Sequence, residues 1–533
     1  MGLIGWIVGI VVLGVGALWF LTRFQRRRWR DALPPESVTI PSEKVDVLLV
    51  GAGAMSTTLG MILQQLDPSM RICLVERLGD IAVESTDALN NAGTGHAAYC
   101  ELNYTPQEKD GSVNASKAFK INASFEASLS FWSYLVEKGV LGKPSDFIRQ
   151  VPHISFVWGE EDVAFLRKRY EALKDSVAFG AMEYSEDPAV LRRWMPLVME
   201  GRSAKERIAA TRVRYGTDVD FGTLAHRMTE AMQQHAGFDL RLRREVTDLV
   251  QQTDRRWLVT LKDLDKGTYE VINAGFVFLG AGGGALPLLQ KSGIPEAVGY
   301  GGFPVGGQWL ICKNPTLAEQ HTAKVYGKAA IGAPPMSVPH LDTRVIDGKR
   351  MLLFGPYAGF TTRFLNEGSL LDLPMSVESQ NLRALLSVGL REIDLAMYLV
   401  GEVLQSQDAR VASLRRYFPN VRSEDWELAH AGKRVQIIKP HPEQGGTLEF
   451  GTEVVAARDG SLAGLLGASP GASTSVQIML DVLQRCFADR LKKDGWPERL
   501  REMIPSYGQD LNAHPDLFRE VRKRNLSVLE IDR

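Results

Sequence analysis

The sequence predicts an α/β chain in which a β-α-β unit opens a Rossmann-like sheet, an α+β part is interleaved with that sheet, and a separate apolar helix precedes both. Three observations carry the prediction. Residues 45–50 are an apolar run, Gly51-Ala52-Gly53 turns it, and Met55, Leu59, Ile62, Leu63 and Leu66 recur at helical spacing. A second apolar run, RICLVE, ends in Glu76 and closes a unit of about thirty residues, the usual size of β-α-β. Far along the chain, FVFLGAGGGALPLL and DGSLAGLLGASPGASTSVQIML bring glycine turns and a helix start back, so distant segments are expected to complete the same sheet.

In chain order, the first thirty residues stand apart. Residues 3–21 carry no charge and, at about 1.5 Å per residue, nearly span a bilayer core of about 30 Å. The positive charges Arg23, Arg26, Arg27, Arg28 and Arg30 follow this run, whereas a secretory signal peptide carries its charge before it. The positive-inside rule then puts the short N-terminus outside and the body on the cytoplasmic face of the inner membrane. Residues 31–44 form a proline-stiffened linker. Long helical stretches are expected over residues 115–207 and 375–413. Asp220 is a candidate N-cap for the amphipathic DFGTLAHRMTEAMQQH, and three strands are expected in LRLRREVTDLV, RWLVTLKDL and YEVINAGFVFLGAGGG.

Composition excludes several classes. The 533 residues are 45% hydrophobic and 23% charged with a formal net charge of -1, so the chain is globular and has no basic field for nucleic acid. The four cysteines are widely separated with no C-x-x-C pair, which argues against a zinc site or a redox dithiol.

The glycine turn lets backbone N–H groups approach a pyrophosphate at a helix N-terminus. Ser56 replaces the usual third glycine with another small residue, and Glu76 stands where an acid accepts the ribose hydroxyls. That unit alone does not choose between NAD and FAD. The returning glycines favour a long ligand such as FAD, with the helix opening near Ala472 facing the flavin, and no second G-x-G-x-x-G is present for NADPH. An anchored body favours a lipid-dissolved electron acceptor.

The segments GAGAMSTTLG, LVERL, NNAGTGHAAYCELNYTP, GAGGGALPLLQKSGIPE, GAPPMSVPHLDTR, LLFGPYAGF and FGTEVVAARDGSLAGLLGASPGAS resemble malate:quinone oxidoreductases. The resemblance implies FAD, oxidation of (S)-malate to oxaloacetate in the tricarboxylic acid cycle, and electron delivery to ubiquinone or menaquinone of the respiratory chain. The anchor departs from a family usually described as peripheral. A wider similarity to L-2-hydroxyglutarate oxidases and glycine/D-amino-acid-oxidase-type flavoproteins implies FAD-domain parts at 45–114, 208–293 and 431–533. Substrate-domain parts would lie at 115–207 and 294–430.

These similarities imply the site residues. Cofactor contacts are expected from Gly51, Ala52, Gly53, Ser56 and Glu76, from Asn91, Gly93, Thr94 and Gly95, from Val246, Gly280 and Gly282, and from Gly471, Ala472 and Ser473. Removing the hydroxyl proton as hydride leaves calls for a neutral imidazole, for which His340 is the first candidate and His96 the second. Two malate carboxylates call for a planar bidentate cation, with Arg434 leading and Lys433, Arg344 and Arg363 following. Tyr357 is a candidate donor to substrate or a core tyrosine. The rivals are an L-2-hydroxyglutarate dehydrogenase of the same fold and a non-catalytic, membrane-tethered nucleotide-binding protein.

Overall fold

The structure, a computed structural model, describes residues 43–328, 338–467, 471–493 and 495–532. The expected N-terminal anchor, residues 1–30, lies outside them. Among the described residues no helix is long and apolar enough to cross a membrane.

Two sheets organise the chain. In the first, the order is Thr452–Ala456, Leu462–Gly467, Tyr269–Leu279, Glu43–Val50, Ile72–Val75, Phe238–Arg241, with Trp257–Asp263 and Arg244–Gln251 folded antiparallel beside Tyr269–Leu279. Glu43–Val50 is central and parallel to both neighbours, which is why it reads as a nearly unbroken apolar run rather than an alternating one. Val47 and Leu49 pack into the core with the helices Ala54–Leu66, Phe221–Met232 and Ser475–Cys486, while Leu48 and Val50 pack into the core on the other face. The expected cap of Phe221–Met232 is present, with Asp220 Oδ1 accepting from Thr223 N–H at 2.8 Å.

The second sheet has ten strands, ordered Gly445–Glu449, Arg434–His441, Gly301–Cys312, Lys349–Phe360, His340–Ile346, Lys324–Tyr326, His153–Trp158, Ile208–Val213, Glu183–Ser185, with Glu427–His430 also on Gly301–Cys312. It stands beside the first as the interleaved α+β part.

Three expectations need correction. LRLRREVTDLV forms two strands, Phe238–Arg241 and Arg244–Gln251, broken where Arg243 takes φ +58°. Residues 115–207 are not one helical block, because the strands Ile148–Gln150, His153–Trp158 and Glu183–Ser185 separate the helices. Sheet membership also ignores the boundaries at 208 and 431: Ile208–Val213 and Arg434–His441 belong to the ten-stranded sheet. The helix Ser116–Glu137 packs instead into the helical core beside the first sheet, held to Pro515–Val528 by the buried Glu126–Arg522 pair at 2.7 Å.

Candidate functional site

The turn after the first strand is built for a ligand to approach backbone. Gly51 sits at φ +87°, and a Cβ there would lie 2.7 Å from Ala281 Cα. Gly53 offers Ala54–Leu66 no side-chain cap of its own, and of the first N–H groups Ala54 N–H donates to Thr86 Oγ1 at 3.1 Å, while the helix end still presents its positive pole to the cavity. Glu76 Oε2 accepts from Ala52 N–H at 2.8 Å and its Oε1 from Leu78 N–H at 2.9 Å, so the acid is held at the lip of the turn. Ser56 works as the third small residue because Gly280 opposes it: a Cβ on Gly280 would come within 2.3 Å of Ser56 Oγ.

A cavity of about 720 Å³ runs from this turn to the late glycine segment. Gly51, Ala52, Gly53 and Glu76 line one end, together with Val246, Gly280 and Gly282. Asn91, Gly93 and Thr94 line its middle, and Gly471, Ala472 and Ser473 its far side. Asn91 ties this loop together, donating from Nδ2 to Ser85, Thr86 and Asp87 carbonyls and accepting Gly93 N–H at 2.8 Å. Ser473 Oγ donates to Thr94 O at 2.9 Å and accepts His96 N–H at 3.1 Å, so the two glycine-rich segments meet. Ser56 and Gly95 lie behind the lining; a Cβ on Gly95 would strike Thr217 and Phe125.

The shape and donor set fit a dinucleotide. A cradle that a Cβ would fill stands beside a helix N-terminus opened by a glycine, with an acid about one strand away for ribose hydroxyls. At the other end, Ser475–Cys486 also starts without a side-chain cap.

A second cavity, of about 560 Å³, adjoins the first at Ala92, His96, Arg434 and Thr452, which line both. His96 Nδ1 lies 2.5 Å from the buried Glu101 Oε1. Burial alone would raise the Glu101 carboxyl, but the bond to His96 and the His96 charge outweigh it and hold Glu101 below the usual carboxylate range. His340 lines the second cavity, stacked on Tyr326 with centroids 4.1 Å apart and edge-on to Trp309. Its Nδ1 is 2.8 Å from Asp342 Oδ2, at ion-pair distance but outside hydrogen-bond alignment. Burial would raise Asp342 as well, and His340 and Lys324 override it and hold that carboxyl low.

The candidate cations separate. Arg434 faces both cavities, has no ion pair among the described residues, and is lowered from the usual arginine value by burial. Lys433 lines the first cavity only, and burial followed by the nearby Arg363 charge lowers its ammonium. Arg363 is exposed and lines neither cavity. Arg344 lines neither: it is wholly buried, 3.2 Å from Asp218 and donating to Ala88 O, where a Cβ on Gly93 would strike it. Tyr357 also lines neither, its hydroxyl donating to Arg410 O at 2.8 Å in the core of the second sheet.

Sequence reasoning missed Glu101, Tyr326, Trp309, Asp342 and Lys324. Asp342 was available, two residues from His340 on one strand face. Glu101 carried no periodic signal.

Residues 43–531 match the family model described as malate:quinone oxidoreductase (Mqo). The chain is 59% identical over 491 residues to a protein of Hahella chejuensis described in the words "Probable malate:quinone oxidoreductase", covering 92% of this chain and 99% of the other. A protein of Methylobacillus flagellatus so described is 60% identical over 486 residues, covering 91% and 98%. Among solved structures, FAD-bound L-alpha-glycerophosphate oxidase of Mycoplasma pneumoniae superposes with TM-score 0.55 at 16% identity, over 84% of this chain and 95% of that one. Glycine oxidase of Geobacillus kaustophilus gives 0.51 at 15%, over 84% and 95%. These two share the glycine-oxidase-type mixed α/β fold.

Proposed function

The chain belongs to the malate:quinone oxidoreductase family, and on that premise we propose that malate meets the flavin where the two cavities join, at His96 and Arg434. The protein is an FAD-dependent enzyme that oxidises malate to oxaloacetate and passes the electrons to quinone. The observation that carries the site assignment is the junction itself: the two cavities share one hydrogen-bonded histidine and one guanidinium that has no ion pair among the described residues.

In this reading Gly51, Ala52, Gly53 and the N-terminus of Ala54–Leu66 hold the FAD pyrophosphate and Glu76 the ribose. Val246, Gly280 and Gly282 would flank that end, and Thr94, Gly471, Ala472 and Ser473 would line the part of the cavity that takes the flavin. FAD, when bound, supplies the acceptor for a hydride from the malate C2 and the route for two electrons to quinone.

The residues of the chain do the rest. Arg434, which makes no ion pair among the described residues, takes a malate carboxylate in its fork. Glu101 accepts a hydrogen bond from His96 Nδ1–H, which keeps the Nε2 lone pair free to take the malate hydroxyl proton, and the carboxylate then steadies the imidazolium that forms. His340, fixed between Tyr326 and Trp309, orients the substrate through its other nitrogen.

Residues 1–30 serve as a single-pass anchor that keeps the catalytic body on the cytoplasmic face of the inner membrane, where malate oxidation in the tricarboxylic acid cycle joins the respiratory chain. The support is the uncharged run followed by five arginines.

Anaerobic titration of the yellow holoenzyme tests the function. Malate should bleach the flavin stoichiometrically while 2-hydroxyglutarate and lactate leave most of it oxidised. Equal bleaching by 2-hydroxyglutarate would transfer the substrate to the longer diacid.

A further inference from the structure

The helices Leu382–Arg391 and Ile393–Val403 carry their apolar residues on the wrong side for a soluble protein. Twelve of the nineteen exposed large apolar side chains among the described residues fall within residues 370–404. On the first helix Leu382, Leu386 and Leu390 recur every four residues and face solvent, Leu390 at 70% exposure. On the second, Ile393, Met397 and Val400 continue the stripe, which ends at Leu404; Met397 is 65% and Leu404 77% exposed. The inner faces are already used. Val403 and the buried Leu399 cover strand Lys349–Phe360, where a Cβ on Gly359 would lie 2.3 Å from Val403, and Ala384 closes on Gly446. A helix with apolar residues on two faces requires a second apolar surrounding, and one face of this pair has none within the described chain.

We propose that this helix pair is the surface by which the catalytic body seats in a lipid bilayer, and that quinone reaches the second cavity from there. The proposal rests on quinone being the electron acceptor, since a lipid-dissolved acceptor must meet the protein at the bilayer. The structure links the two places. Leu382–Arg391 lies on the strand Gly445–Glu449, with Arg391 donating to Gln444 O at 2.8 Å and Gly446 O at 3.0 Å. The next residue along that strand, the exposed Phe450, lines the second cavity, as do Gly451 and Thr452. The helix that carries the apolar face and the lining of the second cavity are therefore neighbours along one strand.

The stretch outside the described residues agrees with a bilayer rather than a protein as the occupant. Residues 31–42 separate the arginine-flanked apolar run from Glu43, and a dozen extended residues reach at most about 40 Å. The anchor proposed above would hold the body within reach of the lipid. The charges at the edge of the patch are mixed, with Arg383, Arg391 and Asp394 exposed and Glu392 and Glu402 half-buried, so apolar burial drives the seating.

The test uses full-chain holoenzyme carrying an environment-sensitive fluorophore at Leu390→Cys or Met397→Cys, with Val250→Cys on the first sheet as control and the labelled wild type as background. Phosphatidylcholine vesicles containing brominated acyl chains should quench the probe at 390 and 397 and leave that at 250 unchanged. Absence of quenching at 390 and 397 overturns the proposal. So does a probe already shielded without vesicles: a concentration-dependent shield identifies a second copy of the chain, and a concentration-independent one identifies the N-terminal run folded onto the patch. In parallel, Leu390→Glu/Met397→Glu should keep the malate–dye rate and lower the rate with a long-chain quinone in vesicles at least about tenfold. An unchanged quinone rate contradicts the route. Loss of malate–dye activity in the unsubstituted enzyme would instead strike at the function itself, which the quenching result does not touch.

Discussion

Among the described residues two histidine–carboxylate pairs stand in contrasting surroundings. His96–Glu101 lies on the loop between the first sheet and helix Ser116–Glu137, with the His96 side chain 19% exposed and bordering both cavities. His340–Asp342 lies on a strand, with its histidine pressed between aromatic rings and its carboxylate wholly buried. Behind Asp342 stands a buried ionic cluster: Lys324 Nζ is 3.0 Å from Asp218 and 3.6 Å from Asp342, and Arg344 is 3.2 Å from Asp218. Lys324 also donates to Ala92 O at 2.8 Å, so the cluster fastens the ten-stranded sheet to the loop that bears His96. The same pair of residue types can therefore move a proton where it is accessible and fix geometry where it is embedded.

The largest expected effect separates the two histidines. His96→Gln should slow flavin reduction by malate roughly 10²–10⁴-fold, the worth of a positioned acid–base group, in anaerobic rapid mixing. His340→Gln should weaken malate binding and cost less in the reduction step. Equal losses would erase the distinction.

The embedded side is probed by Lys324→Met, which leaves two carboxylates buried against one cation. It should destabilise the fold by about 3–5 kcal/mol in denaturant unfolding. A shift under about 1 kcal/mol would mean that the cluster does not hold the sheet to the loop.

Between the pairs sits His153, wholly buried and pushed down to about 4 by burial. Its folded value lies below its unfolded value, so the unfolded chain takes up the proton first. Stability should fall by about 3 kcal/mol as the pH drops from about 6.5 to 4. Glu101 and Asp342, both held low in the folded state, add their losses only as the pH falls further, through their depressed values. Denaturant titrations across this range should show the first drop, and His153→Asn should flatten it.

The smallest effect concerns Arg434→Lys. The charge remains and the fork is lost, so malate should bind about tenfold more weakly while FAD content stays normal. An unchanged malate titration would move the carboxylate contact elsewhere.

What the sequence made legible follows from how local each signal is. Gly51, Gly53 and Glu76 announce themselves because turn, helix start and ribose acid lie within one β-α-β unit, and Asp220 caps a helix three residues away. The same locality made Arg344 misleading. An arginine beside a candidate histidine resembles a substrate clamp, but its partner Asp218 comes from a distant strand and consumes the charge in the core. Tyr357 was ambiguous for the same reason, since only the tertiary position of Arg410 shows where its hydroxyl goes. Sheet membership of Ile208–Val213 depends on pairing with His153–Trp158, a contact that no window of sequence contains.

The most direct test of the division between the pairs is the pH profile of flavin reduction by malate in the wild type, His96→Gln and His340→Gln. That division predicts that the pH dependence of the wild-type reduction survives in His340→Gln and disappears in His96→Gln alone. A wild-type profile that persists in His96→Gln and vanishes in His340→Gln would contradict it and assign the proton to the buried pair.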